Sequence, residues 1–158
     1  MAGFMLSHLA RGRHDPLEVV TAGTHTVDGQ PMGPRTRAAL AQIPELHGVD
    51  FHQHRSRQVS EQDFARADLV VVMEADHVRF VRRQFAPHAA KTAMMRPLCT
   101  ALGAGPPGLT ERVAALDLAA TPLDDTLDVM DPAGHEADVY AACAAELWDL
   151  CQTLAAVL

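Results

Sequence analysis

The sequence has few cysteines, few aromatic residues and no long apolar run. Aromatic residues make up 4% of the 158 residues, and three cysteines are present. No segment approaches the roughly 18 consecutive apolar residues that cross a bilayer. The first residues also lack the basic segment and apolar core of a signal peptide. We therefore expect no membrane association.

The cysteines do not form a disulfide framework. Cys143 and Cys151 lie in one predicted helix, about 12 Å apart along its axis, which is too far for a disulfide. An odd number of cysteines without a secretory signal is typical of a reducing compartment. We therefore predict a cytoplasmic protein whose thiols are buried and structural.

Positive charge is scarce as well. Thirteen Lys and Arg residues against twenty Asp and Glu residues give a net charge of −7. Nonspecific binding to nucleic acid needs a positive surface, so we predict no nucleic-acid partner. An anionic small molecule can still bind, because the local field of a site need not follow the net charge.

Strands and helices alternate along the chain. Apolar runs predict strands at Leu17–Val20, Leu69–Met73 and Thr92–Met95, the second of them buried. Periodicity and capping signals predict helices at Met1–Leu9, from Pro34 to near Pro44, after a Ser60–Asp63 capping box, at Ala75–Phe85, through Val113 and Leu116, and from about Glu136 to Leu158. This alternation predicts βαβ units, a parallel sheet and one α/β domain over residues 1–158.

Four segments, in order, resemble the low-molecular-weight protein tyrosine phosphatase family. They are Thr21–Thr24, Gly29–Arg35, His54–Met73 and Asp128–Pro132. The first resembles the family's Ser/Thr-Ala-Gly-Thr turn, and the last resembles the loop that supplies its general acid. The resemblance implies a Rossmann-like three-layer α/β/α fold with a small parallel sheet. It also implies hydrolysis of a phosphotyrosine protein or another aryl phosphate, without a cofactor.

One motif of the family does not occur in this sequence. The family's nucleophile is a cysteine in a Cys-x5-Arg loop between the first strand and the first helix. The residues six positions after Cys99, Cys143 and Cys151 are glycine, aspartate and valine. Met1–Phe4 instead resembles the start of the helix that follows this loop. The resemblance therefore predicts a domain that is incomplete at its N-terminus, lacks the first strand and the phosphate loop, and is inactive by itself.

The resemblance assigns roles to three polar residues. Asp131 would be the general acid that protonates the leaving oxygen and later takes a proton from water. Thr21 and His54 would hold the conformation of the phosphate loop. Simpler explanations stay open for each: Asp131 as the opening residue of a turn, Thr21 as a hydroxyl that caps a turn, and His54 as a solvated imidazole.

A histidine-rich stretch raises the alternative of metal binding. His47, Asp50, His52 and His54 lie close together in the sequence. Structural zinc sites usually include cysteine, and no cysteine lies nearby, so we predict no metal site.

Two other functions and one segment stay open. Arsenate reductase shares the fold but needs further cysteines to relay a disulfide, and Cys99 has no close cysteine partner. A non-catalytic module on the same fold would bind partners through the face that holds the active site in the family.

The absence of a central strand would expose two strand edges, so we expect self-association. The Ala104–Pro122 segment, which is longer than the family leads us to expect, is either an insertion or functional.

Overall fold

Helices and long loops make up the first of two units in the computed structural model, which describes residues 1–158. This unit comprises Met1–Val59 and Asp131–Ala155, and the second comprises Ser60–Met130 and Ala156–Leu158. None of the helices combines the length and apolar character that a bilayer crossing requires. The single domain over residues 1–158 stays a prediction.

The first unit contains three α-helices at or near the predicted positions. Helix α1 spans Ala2–Leu9, α2 spans Pro34–Leu40 and α7 spans Ala137–Val157, its last two residues belonging to the second unit. Pro34 occupies the first position of α2, where its fixed φ suits the helix and its missing N–H costs nothing. Helix α7 has a broad buried stripe of Cys143, Ala144, Leu147, Trp148, Cys151, Leu154 and Ala155. A 3₁₀ turn follows α2 at Pro44–Leu46.

The strand predicted at Leu17–Val20 is wrong. The side chains alternate as in an extended segment, with Leu17 and Val19 half-buried and Val20 56% exposed, but no β-ladder forms. Pairing in this unit consists of isolated bridges, one between Gly23 and Gln58 and one between Pro31 and Arg55. An alternating pattern predicts the conformation of a segment but not the neighbour whose backbone it must bond.

The second unit has a βαβ core. Strand β1 (Val70–Val72) pairs in parallel with β2 (Thr92–Met94), so that Val70 lies opposite Thr92. Helix α4 (Ala75–Gln84) and a 3₁₀ segment (Ala86–Lys91) connect them. The predicted α/β class with a small parallel sheet is confirmed. β1 is half-buried rather than buried, because it pairs with β2 on one side only.

Three shorter helices complete this unit. They are α3 (Glu61–Arg66), α5 (Met95–Ala101) and α6 (Leu109–Ala114). The predicted capping box of α3 is confirmed: the Ser60 backbone N–H donates to the Asp63 carboxylate at 2.9 Å, and the Asp63 N–H donates to the Ser60 hydroxyl. Residues Val72 and Leu123 pack against a core cluster of Ala75, Val78 and Met94.

The segment that precedes Asp131 is anchored to the start of α4. The Ala75 N–H donates to the Asp128 carboxylate at 2.7 Å, and the Val129 N–H donates to the Met73 carbonyl at 2.9 Å. The first N–H groups of a helix have no partner inside the helix, so a carboxylate is well suited to this position. This pair of bonds fixes the last residues of the second unit before the Asp131 loop.

Candidate active site

The first turn of α1 is surrounded by groups from three distant parts of the first unit. The Phe4 ring meets the His54 ring edge-on at a centroid distance of 5.8 Å, and Phe51 contacts Phe4 in the same way at 5.2 Å. The Cys151 thiol lies 3.7 Å from the Ala2 carbonyl oxygen. The start of α1 is therefore packed against both the histidine-rich stretch and α7.

Thr21 lies directly against this turn. A Cβ added to Gly3 would lie 2.1 Å from Cγ2 of Thr21, a distance that real atoms do not adopt. Only glycine therefore fits at position 3 while Thr21 keeps its place.

Substitution of Gly3 by alanine tests this close approach. In a helix interior, alanine is normally more stable than glycine by about 0.5–1 kcal/mol. Here we expect Gly3→Ala to lower the free energy of unfolding by about 1–3 kcal/mol, because the added methyl group overpacks against Thr21. Urea denaturation measures the change. Adding Thr21→Ser, which removes Cγ2, should recover the loss; a stabilised single variant would contradict the close approach.

The environment of His54 favours the neutral form of its imidazole. Burial lowers its pKa from the ordinary value, and the nearby Met1 amino group and Arg55 guanidinium lower it further. A neutral imidazole offers one donor and one acceptor, so it can connect two polar groups at the start of α1. The packing of its ring against Phe4 fixes the direction of those two nitrogens.

Asp131 is exposed at the start of the loop that leads to α7. Its carboxylate accepts a hydrogen bond from the Ala133 N–H at 3.0 Å, which closes an Asx turn and orients the side chain. Burial raises the pKa of the Cys143 thiol; Glu146 and Asp131 add to this, whereas the Met1 amino group opposes it. The Asp131 carboxylate and the start of α1 are therefore both within electrostatic range of Cys143.

Two of the three residues that the resemblance singled out, Thr21 and His54, meet at the first turn of α1. Asp131 is connected to this turn only indirectly, because its carboxylate and the Met1 amino group both act electrostatically on the Cys143 thiol. Sequence reasoning missed Phe51, which supports the Phe4–His54 contact and is 8% exposed. The sequence feature that could have pointed to Phe51 is its position as an isolated aromatic residue in an otherwise polar stretch.

The three cysteines form no disulfide. Cys143 and Cys151 are buried in α7, as predicted, whereas Cys99 is half-buried. Burial raises the pKa of the Cys99 thiol, as it does for Cys143. The thiol form is therefore favoured at both positions over the nucleophilic thiolate.

The histidine-rich stretch is organised by hydrogen bonds. The Asp50 carboxylate accepts from the His52 N–H at 2.8 Å and from the Gln53 side-chain amide at 3.2 Å. No three side chains of His, Cys, Asp or Glu come together in an arrangement that holds a metal ion. Asp50 acts here as a turn cap.

Two solved structures of phosphatases have a fold similar to that of this chain. A low molecular weight protein tyrosine phosphatase from T. tengcongensis superposes with a TM-score of 0.75 over 99% of this chain and 88% of that chain, at 24% identity. An arginine phosphatase, YwlE from Geobacillus stearothermophilus, superposes with a TM-score of 0.70 over 98% of this chain and 83% of that chain, at 22% identity. The predicted Rossmann-like α/β fold is confirmed.

Sequence comparison defines the family. The model described as low molecular weight phosphotyrosine protein phosphatase matches residues 1–105. The chain therefore belongs to the low molecular weight phosphotyrosine protein phosphatase family.

Two curated relatives show the extent of the match. A low molecular weight protein-tyrosine-phosphatase from Streptomyces coelicolor is 39% identical over 88 residues, which are 54% of this chain and 49% of that protein. The probable low molecular weight protein-tyrosine-phosphatase EpsP from Ralstonia solanacearum is 32% identical over 88 residues, 56% of each chain. The chain thus spans about half the length of the curated relatives it matches.

Proposed function

We propose that this chain carries the general-acid part of a phosphomonoester hydrolase of the protein tyrosine phosphatase type, acting on a phosphotyrosine protein or another aryl phosphate. The observation that carries the proposal is the contact of both Thr21 and His54 with the first turn of α1, and it is supported by the electrostatic action of Asp131 and the Met1 amino group on one thiol, that of Cys143. In the family, the loop that binds phosphate leads into the first helix. A phosphate bound there would be within reach of a proton donor on the Asp131 loop.

Asp131 would supply the proton transfers of the reaction. Its carboxyl group would protonate the phenolate oxygen as the P–O bond breaks, and its carboxylate would then take a proton from the water that hydrolyses the phosphoenzyme. The Asx turn to Ala133 supports this role because it leaves one carboxylate oxygen directed away from the loop backbone.

Thr21 and His54 would be positioning residues. Both contact the first turn of α1, where backbone N–H groups at a helix N-terminus bind phosphate. A neutral His54 would donate to one polar group of the phosphate loop and accept from another, which would hold the loop without adding charge.

The nucleophile is the group that the present residues do not supply. The raised pKa values of the Cys99 and Cys143 thiols disfavour the thiolate, and the Cys151 side chain is fully buried. None of the three is followed by an arginine six residues later. We therefore propose that the 158-residue chain alone does not hydrolyse phosphomonoesters.

The experiment compares the chain alone with a chain joined at Met1 to an apolar strand and a Cys-x5-Arg-Ser-Pro segment. The substrate is p-nitrophenyl phosphate, and release of nitrophenolate is measured. We expect no turnover by the chain alone, turnover by the joined chain, and none when the added cysteine is changed to serine. Turnover by the chain alone would contradict the assignment of the cysteines. A folded but inactive joined chain would overturn the hydrolase proposal and favour the binding module.

A cytoplasmic location is part of the proposal. The three cysteines form no disulfide, which suits a reducing compartment. Mass spectrometry after alkylation of intact cells would find all three cysteines reduced.

Self-association through the edge of the sheet is a further part of the proposal. β1 has a strand neighbour on one side only, and an apolar edge of this kind invites pairing with a second copy. We expect the chain to associate in a concentration-dependent way, and Val71→Lys to weaken association about tenfold. Sedimentation velocity measures the effect.

A matched variant separates edge pairing from the loss of an exposed valine. Val27 is 68% exposed and lies outside the sheet, so Val27→Lys should leave association unchanged. Equal effects of both substitutions, or a wild-type chain that stays monomeric at every concentration, would contradict pairing through β1.

A further inference from the structure

A cavity of about 330 Å³ lies in the second unit, beside β2. Its walls come from β2, α4, α5 and residues 116–127, which we call the strap. The lining side chains are mainly apolar and include Val78, Met94, Leu98, Leu116, Leu118 and Leu123. Pockets of this size and composition, with a few polar groups, are typical of sites for small molecules.

Two arginine side chains of α4, Arg79 and Arg82, bond the strap to the body of the unit, and Arg79 does so through Asp125 at 2.7 Å. Nη2 of Arg82 donates to the Leu118 carbonyl at 2.9 Å and to the Thr121 carbonyl at 2.7 Å. Leu118 is 9% exposed, and Leu123 packs against the core cluster of the unit. The C-terminal part of the Ala104–Pro122 segment therefore has a defined position over the cavity.

Arg82 carries a positive charge at this apolar cavity without an anionic partner. Its Nε is buried and makes no hydrogen bond, and its two bonds through Nη2 go to neutral carbonyls. Asp124 also lines the cavity, but its carboxylate accepts from the Thr126 N–H at 2.9 Å and from the Thr126 hydroxyl at 2.7 Å. The side chain as a whole is half-buried and lines the cavity, so the rest of this unpaired guanidinium can donate to an anionic acceptor there.

We propose that the cavity binds a small organic acid with a hydrocarbon body. The carboxylate would accept charge-assisted hydrogen bonds from the Arg82 guanidinium, and the hydrocarbon would lie against the apolar walls. A cavity of about 150 Å³ holds benzene, so one of this size has room for roughly ten non-hydrogen atoms. Octanoate has that size and the required charge. The site is separate from the proposed hydrolase chemistry, and its ligand binds whether or not phosphate is hydrolysed.

The test uses the purified 158-residue chain, with octanoate as the probe and octanol as the uncharged control of equal length. Titration calorimetry measures affinity, and thermal unfolding measures stabilisation. We expect one octanoate per chain, a rise in Tm of about 3 °C or more at saturation, and affinity for octanol about tenfold lower or less. Equal affinity for the two probes would overturn the role of Arg82, and no octanoate binding would overturn the site.

Variants locate the ligand. Arg82→Met keeps an unbranched apolar stem but removes the guanidinium and its charge, and should weaken octanoate binding about tenfold or more. Arg83→Met, on the exposed face of the same helix, should change nothing. Because Arg82→Met also removes two hydrogen bonds of the strap, Ala101→Trp provides the second test. Ala101 lines the cavity, and we expect the larger side chain to occupy it while Arg82 stays in place. Octanoate binding that survives Ala101→Trp would show that the ligand lies elsewhere.

Discussion

Asp131→Asn should lower kcat for aryl phosphate hydrolysis by about 10²- to 10⁴-fold in the chain joined to a Cys-x5-Arg segment. The amide cannot transfer a proton to the leaving oxygen, whereas its carbonyl oxygen can still accept the hydrogen bond from Ala133 that shapes the loop. The substitution therefore removes the acid and preserves the turn. Steady-state kinetics with p-nitrophenyl phosphate measures the effect.

The leaving group provides a readout that a purely structural role would not change. A more acidic phenol needs less protonation as it departs, so the loss should be smaller with 2,4-dinitrophenyl phosphate. Asp149→Asn is the matched control, because Asp149 is an exposed carboxylate on α7 outside the loop. An equal loss with both substrates, or an equal loss in the Asp149 variant, would contradict the assignment of Asp131 as general acid.

Leu154→Ala should lower the free energy of unfolding by about 2–5 kcal/mol. Leu154 is fully buried on the apolar stripe of α7, so its truncation removes packing and leaves a cavity. A typical domain is stable by about 5–15 kcal/mol, and this one change would therefore remove a large share. Urea denaturation followed by circular dichroism measures the shift in the transition midpoint.

An exposed residue on the same helix provides the control for this prediction. Gln152 is exposed on the same helix, so Gln152→Ala should change stability by no more than about 0.5 kcal/mol. A loss below about 1 kcal/mol for Leu154→Ala would show that the stripe of α7 relaxes around the cavity. It would also show that the core of the first unit depends less on this helix than its burial suggests.

The elements that were predicted correctly are those whose formation depends on residues close together in the sequence. The Ser60–Asp63 capping box needs only residues three apart, and it forms as expected. Helix α4 was equally clear, because Val78 and Val81 recur on one face and both are buried in the structure. The βαβ unit that these elements build was predictable because its strands and helix alternate at short spacing.

Long-range pairing accounts for the failures. Leu17–Val20 has a strand-like composition, but whether it joins a sheet depends on residues far away in the sequence. Helix α5 was missed and its first residue, Met95, was assigned to a strand, because the element has no capping side chain and contains Pro97. Proline is tolerated in a first turn, where its missing N–H would have no partner in any case.

The candidate site was predictable only residue by residue. The resemblance selected Thr21, His54 and Asp131, and nothing in their spacing shows that Thr21 and His54 meet at one helix end. The packing of His54 against Phe4 joins residues about fifty positions apart, and it is this packing and burial that set the protonation state of the imidazole. Such a state depends on tertiary contacts, which the sequence does not display.

The anchor between Asp128 and α4 has a consequence for how this chain can vary in length. The bond from the Ala75 N–H to the Asp128 carboxylate closes a chain loop of 53 residues, which includes the Gly- and Pro-rich break at residues 103–108. The entropy of closing a flexible loop grows only logarithmically, by about 0.6 kcal/mol for each doubling. A few residues inserted in this Gly- and Pro-rich segment would lengthen the loop by a small fraction. The free energy of closing the loop would then rise by far less than the anchor contributes. Insertions and deletions should therefore accumulate there across relatives, while the Asp131 loop keeps its starting point.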